Sequence, residues 1–111
     1  KVAKDTKYKL VPGFFSDSLS LGPSSFGIEK ARIIFIDSDT YSSASEAFTF
    51  CQDTLQLGAF LILDDYYSYK GSSSKGVTKA FSEFIDNTGI KVRRVFTYGM
   101  GGAVFVISEL K

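Results

Sequence analysis

The sequence predicts one small α/β domain, spanning residues 1–111, built on a largely parallel sheet. Three observations carry that reading. Two short runs are apolar without interruption and each ends in aspartates. The segment between them has helical periodicity. A glycine-rich reversal near the carboxyl end joins two further extended segments.

The two runs are Arg32-Ile33-Ile34-Phe35-Ile36-Asp37 and Ala59-Phe60-Leu61-Ile62-Leu63-Asp64. Continuous rather than alternating apolar character is what a parallel strand shows when both faces of its sheet are covered. Between them, Ala44, Ala47, Phe48, Cys51 and Leu55 recur at spacings of three and four, which places them on one face of a helix. Ser43-Ala44-Ser45-Glu46 has the form of a capping box, and Gly58 stands where a left-handed cap would close the helix. Strand, helix and strand with a short return make a βαβ unit, so the two strands are expected to be parallel neighbours.

The pattern then repeats. Ser72-Ser73-Ser74 offers caps for a helix that buries Val77, Ala80, Phe81, Phe84 and Ile85 and closes near Asn87 and Gly89. A strand from Lys91 to Thr97, the turn Tyr98-Gly99-Met100-Gly101-Gly102 and a strand from Ala103 to Ile107 read as an antiparallel pair. Near the amino end, Tyr8-Lys9-Leu10-Val11 reads as one short strand, and Ser16 to Glu29 as mostly loop.

Composition narrows the function classes. A net charge of +1 gives no electrostatic case for nucleic acid, and the four lysines among the first nine residues read as a solvated end. No stretch is apolar for long enough to span a bilayer. Lys1-Val2-Ala3-Lys4-Asp5 has no apolar run behind its charges, which argues against a secretory signal. Cys51 is the only cysteine, so no disulfide framework exists and a reducing, cytoplasmic setting is expected. The absence of histidine removes a histidine base and the usual zinc site; any metal must sit on oxygen.

The acids therefore carry the chemistry. Asp37 closes the first strand with Asp39 two residues on, and Asp64-Asp65 closes the second. Ligands of open α/β sheets bind beyond the carboxyl ends of the strands. Neighbouring strands lie about 4.8 Å apart, so these acids come within reach of one ion. Carboxylates gathered so closely repel unless a cation holds them, and hard oxygen ligands suit Mg²⁺, Mn²⁺ or Ca²⁺. Asp64 and Asp65 point to opposite faces of an extended strand, so both reach one ion only if the chain turns there.

Taken in order, Gly13-Phe14-Phe15-Ser16-Asp17-Ser18-Leu19, Ile36-Asp37-Ser38-Asp39-Thr40-Tyr41-Ser42-Ser43, Leu57-Gly58-Ala59-Phe60-Leu61-Ile62-Leu63-Asp64-Asp65-Tyr66 and Gly76-Val77-Thr78-Lys79-Ala80-Phe81-Ser82-Glu83-Phe84 resemble the macrocin O-methyltransferase type of class I methyltransferase. Such enzymes methylate sugar hydroxyls in antibiotic biosynthesis. The resemblance implies a Rossmann-like methyltransferase sheet, of which this chain is the carboxy-terminal portion. It implies S-adenosylmethionine and Mg²⁺ as cofactors and a small-molecule hydroxyl as acceptor. Asp37, Asp64 and Asp65 would ligate the metal and Asp39 would be the general base. Phe14, Phe15 and Ser16 would lie near the cofactor's adenine, with Asp37 and Ser38 also facing the cofactor.

The chain departs from the family where Phe35 replaces a common histidine, Thr40 a leucine and Ala59 a second glycine. The family's strand order is 3-2-1-4-5-7-6, with a glycine-rich cofactor turn after strand 1, and this sequence begins at strand 3. A second copy, or a partner chain supplying the missing strands, is therefore expected. Two other readings stay open: a non-catalytic binding module on a truncated fold, and the nucleotide-sugar site of a metal-dependent glycosyltransferase, which also uses Asp-x-Asp.

Overall fold

The computed structural model describes residues 7–111; the opening charged stretch, with Lys1 and Lys4, lies outside them. Four strands form a single sheet: β1 (Ile33–Ile36), β2 (Phe60–Leu63), β3 (Lys91–Tyr98) and β4 (Gly102–Glu109). Their spatial order is β1-β2-β4-β3. This is the 4-5-7-6 portion of the expected order. Strands β1 and β2 pair in parallel with Ile33 opposite Phe60 and Ile36 opposite Leu63. Strand β4 runs antiparallel to both β2 and β3.

Three helices accompany the sheet: the single turn α1 (Phe15–Ser18), α2 (Tyr41–Cys51) and α3 (Gly76–Thr88). Two 3₁₀ turns, Pro23–Phe26 and Gln52–Thr54, join them, so the stretch after Ser16 is more ordered than its glycine and proline content suggests. No helix of the described residues is long and apolar enough to cross a membrane.

The core lies on one side of the sheet. Ile34, Ile36, Leu61, Leu63, Ala103, Phe105 and Ile107 meet Ala44, Ala47 and Phe48 of α2 and Val77, Ala80, Phe81 and Phe84 of α3 in one buried cluster. Phe48 stacks against Phe84 at 4.8 Å and Phe81 at 5.5 Å between ring centroids, and Phe81 meets Phe105 at 4.9 Å. Aromatic contacts of this kind, stacked between the helices and tilted at Phe105, lock the two helices to each other and to the sheet. Cys51 packs against the same cluster, and burial pushes its thiol up to about 11, which fits a core residue and not a nucleophile.

The second face is bare, contrary to the covering that the unbroken apolar runs predict. Ile33 is 62% exposed, Phe35 57%, Phe60 40% and Phe96 54%. Ile33, Phe35 and Phe96, with Ile62, Tyr98 and Val104, border a wholly apolar groove of about 460 Å³. The physical reason is topological: α2 and α3 pack on the same side, and no described element crosses to the other. The edges differ as well. Edge strand β3 carries Lys91, Arg93 and Arg94 and breaks register between Arg94 and Phe96, devices that discourage further pairing. Edge strand β1 is Ile-Ile-Phe-Ile, with nothing of the kind.

Several local expectations need correction. Residues 8–11 are not a strand, because no described strand lies beside them to pair with. The cap of α2 is Thr40, whose Oγ1 accepts the Ser43 amide at 3.2 Å, so the helix starts before the capping box read at Ser43. Gly58 is left-handed (φ 79°) but belongs to the turn into β2, beyond the 3₁₀ turn that ends the helix. Helix α3 starts after Lys75 with no side-chain cap; Ser72 and Ser74 bond each other in the preceding turn. Its end is as read. Gly89 takes φ 72° and donates its amide to the Ile85 carbonyl, the close that a left-handed glycine provides.

Candidate active site

Asp37 and Asp64 leave adjacent strands one residue beyond the paired Ile36 and Leu63. The Asp64 amide donates to the Ile36 carbonyl at 3.1 Å, which continues the parallel pairing past the strand ends. Since Ile36 and Leu63 face the helices, alternation sends both acids toward the opposite side. The chain then turns: the Ser68 amide donates to the Asp65 carbonyl at 3.2 Å. That turn is what brings Asp65 to its neighbours. Asp37, Asp64 and Asp65 each offer an oxygen, and these lie within 4.8 Å of one another.

The electrostatics follow from crowding. The Asp64 charge, aided by burial, raises the Asp37 carboxyl above its ordinary range. Burial first, then the hydrogen bond and charge of Asp39, raise Asp65. The sole ion pair among the described residues, Lys91 with Glu109, is exposed and elsewhere, so no basic side chain neutralises this group. Two buried oxygens beside the cluster, Asp65 Oδ2 and Ser38 Oγ, have no hydrogen-bond partner. Converging carboxylate oxygens, uncompensated charge and an orphaned buried oxygen together fit a hard divalent cation.

Tyr98 completes the surroundings and was not read from the sequence. Its O–H donates to Asp64 Oδ1 at 2.8 Å. Desolvation, that bond and the neighbouring carboxylates push the phenol up to about 12, so it stays a donor. The only sequence signal is its place at the mouth of the glycine hairpin, which turn chemistry alone explains.

Two cavities flank the acids. One, of about 360 Å³, is bordered by Phe14, Phe15, Asp37, Ser38 and Asp39, so four of the five residues expected to face the cofactor share one space. Ser16 is the exception; it borders an adjoining groove with Glu46 and Phe50. The other cavity, of about 290 Å³, is bordered by Asp64, Asp65, Tyr67, Ser68, Tyr98 and the glycine turn. Of the three tyrosines that follow Asp65 closely, Tyr66, Tyr67 and Tyr69, only Tyr67 borders it; Tyr66 packs instead against Phe81 and Phe105. The arrangement suits two molecules meeting at one carboxylate cluster.

The model of the macrocin-O-methyltransferase (TylF) family matches residues 3–96. The chain belongs to that family. An 8-demethyl-8-(2,3-dimethoxy-alpha-L-rhamnosyl)-tetracenomycin-C 4'-O-methyltransferase from Streptomyces olivaceus is 30% identical over 95 residues, covering 78% of this chain and 34% of that enzyme. A mycinamicin III 3''-O-methyltransferase from Micromonospora griseorubida is 29% identical over 62 residues, covering 56% of this chain and 23% of the enzyme. Among solved structures, the O-methyltransferase NovP superposes on 96% of this chain with a TM-score of 0.75 at 22% identity, using 40% of its own length. The fold is thus a partial Rossmann-like methyltransferase sheet. The chain spans about a third of the first relative's length and less of the second's.

Proposed function

We propose that this chain forms the acidic half of an S-adenosylmethionine-dependent O-methyltransferase site that methylates a hydroxyl of a sugar-bearing or other small natural product. The observation that carries the reading is the convergence of Asp37, Asp64 and Asp65 between two cavities, with an unpartnered buried oxygen on Asp65. One relative is named as the 4'-O-methyltransferase of a rhamnosyl-bearing tetracenomycin and the other as a 3''-O-methyltransferase of mycinamicin III, which supports the acceptor class.

In this reading Asp37, Asp64 and Asp65 would hold Mg²⁺, which would supply Lewis acidity that makes the acceptor hydroxyl easier to deprotonate. Phe14, Phe15 and Ser38 border the space for the methyl donor, and Tyr67 and the glycine turn border that for the acceptor. The acceptor oxygen bonds to the methyl carbon as the carbon–sulfur bond breaks, its electron pair remaining on sulfur. Asp39 takes the hydroxyl proton; it lies within hydrogen-bonding reach of Asp65 and is exposed to incoming substrate. Family membership argues against the glycosyltransferase reading of Asp37-Ser38-Asp39.

The open β1 edge and bare sheet face belong to the same proposal: a polypeptide carrying the part of the relatives that this chain does not span completes them. The alternative is a non-catalytic binding module that keeps this fold without the reaction. Methyl transfer by the protein that contains this chain, assayed with Mg²⁺, separates the two. Asp39→Asn is expected to cut turnover by roughly 10² to 10⁴ with cofactor affinity unchanged; Asp64→Asn is expected to remove Mg²⁺ dependence. Full Mg²⁺-stimulated turnover in either variant sinks the enzyme assignment of these residues.

A further inference from the structure

Gly102, Asp64 and Tyr98 lie in one row across three strands. Tyr98 pairs directly with Gly102 across β3 and β4, and Leu63 pairs with Ala103 across β2 and β4. One further step of that register sets Asp64 beside Gly102 on its other side. Two strand spacings, roughly 9 to 10 Å, separate the ends of the row. The phenol bridges them, donating to Asp64 Oδ1 at 2.8 Å. It does so only because the middle of the row is empty. A Cβ on Gly102 would stand 2.3 to 2.6 Å from the Tyr98 ring, a distance real atoms do not tolerate.

We propose that Tyr98, carried over Gly102, is a positioning residue for the Asp64 carboxylate and so for cation binding. The proposal rests on the metal reading above and deepens it. Its physical basis is that partners of a ligating carboxylate fix its orientation and cut the conformational freedom lost when the ion binds. A carboxylate has two oxygens, and committing Oδ1 to the phenol leaves the other for the ion. Among the described residues the Asp64 side chain has no other neutral donor; Asp37 and Asp65 are acids whose charges crowd it. The arrangement is also separate from the family match, which ends at Phe96, before both Tyr98 and Gly102. Placing an aromatic ring over a cross-strand glycine covers exposed backbone as well, so packing alone is the competing explanation.

The test is a Mn²⁺ titration of the 111-residue chain, followed by calorimetry and by the paramagnetic signal of free Mn²⁺. Tyr98→Phe keeps the ring over Gly102 and removes only the donor. It is expected to weaken Mn²⁺ binding by about 10- to 100-fold. The tyrosine absorbance change on adding Mn²⁺, expected in the wild type, disappears in this variant, which packing alone would not cause. Gly102→Ala keeps the phenol but displaces the ring and is expected to weaken binding to a similar degree; if it fails to fold, Tyr98→Phe decides alone. Wild-type binding with Tyr98→Phe within twofold of it overturns the positioning role and leaves the metal reading standing. A wild-type chain that takes up no Mn²⁺ overturns both.

Discussion

On one side of the sheet Ile34, Ile36, Leu61 and Leu63 are sealed beneath α2 and α3; on the other, Ile33, Phe35 and Phe60, drawn from the same two strands, stand open. Residue type does not distinguish the two sets. What differs is whether the chain supplies a cover. The hydrophobic drive to bury the open set is nearly as large per residue as for the sealed set, so that face carries a drive for burial that this chain leaves unmet. Its apolar strands suit a sheet covered on both sides, and this chain covers one.

The contrast makes predictions that differ by face. Phe48→Ala, in the stacked trio under the helices, is expected to lower stability by about 3 to 5 kcal/mol, read from urea or thermal unfolding. A loss under 1 kcal/mol would mean the helix side is not the main core. Thr40→Ala removes the cap of α2 and is expected to lower stability by about 1 kcal/mol, while Ser43→Ala at the competing cap position changes it little. Equal effects from the two would return the cap to Ser43.

At the strand ends the expectation is one of direction. Asp37 and Asp65 have carboxyls raised above the ordinary 3.8, so the folded state binds their protons more tightly than the unfolded chain. Their contribution is complete below about pH 3.8 and is lost as pH rises through the raised values. Without divalent ions, Asp37→Asn is therefore expected to raise the neutral-pH melting temperature, and Mg²⁺ to raise that of the wild type. A variant less stable than the wild type at neutral pH without metal would contradict the crowding. The smallest effect belongs to the open face. Phe35→Thr is expected to leave stability within about 0.5 kcal/mol while reducing self-association seen by light scattering. A loss of 2 kcal/mol would show that Phe35 is buried in solution.

Much of this was legible from residue patterns. The runs ending at Asp37 and Asp64, the helical faces of Phe48 and Phe81 and the glycine reversal after Tyr98 each follow from periodicity and turn chemistry. Helix starts were harder to read. The stretch Ser38 to Ser45 offers six hydroxyls and an aspartate; backbone angles at Thr40, not residue type, choose the cap among them. The strand read at Tyr8 to Val11 failed because a strand needs a neighbour, which local sequence does not reveal. For the same reason the apolar runs announced burial without saying what would provide it. Tyr98 escaped because its partner is 34 residues away, and only the register of β4 between β2 and β3 brings them into one row.

That placement of β4 also sets an order of events. Strand β4 is the last of the four to be synthesised, yet it sits in the interior of the sheet and bonds β2 on one side and β3 on the other. On a ribosome, β1, α2, β2 and α3 emerge with one flank of β2 unfilled, and β3 has no sheet to join. The pairing of Phe60 with Val106 closes a loop of more than forty residues, a slow, entropically costly step compared with helix or hairpin formation. The hairpin of β3 and β4 is local and forms first, so the expected late event is its insertion beside β2 as a unit. Chains halted before Gly102 therefore lose the link that joins the two ends of the sheet.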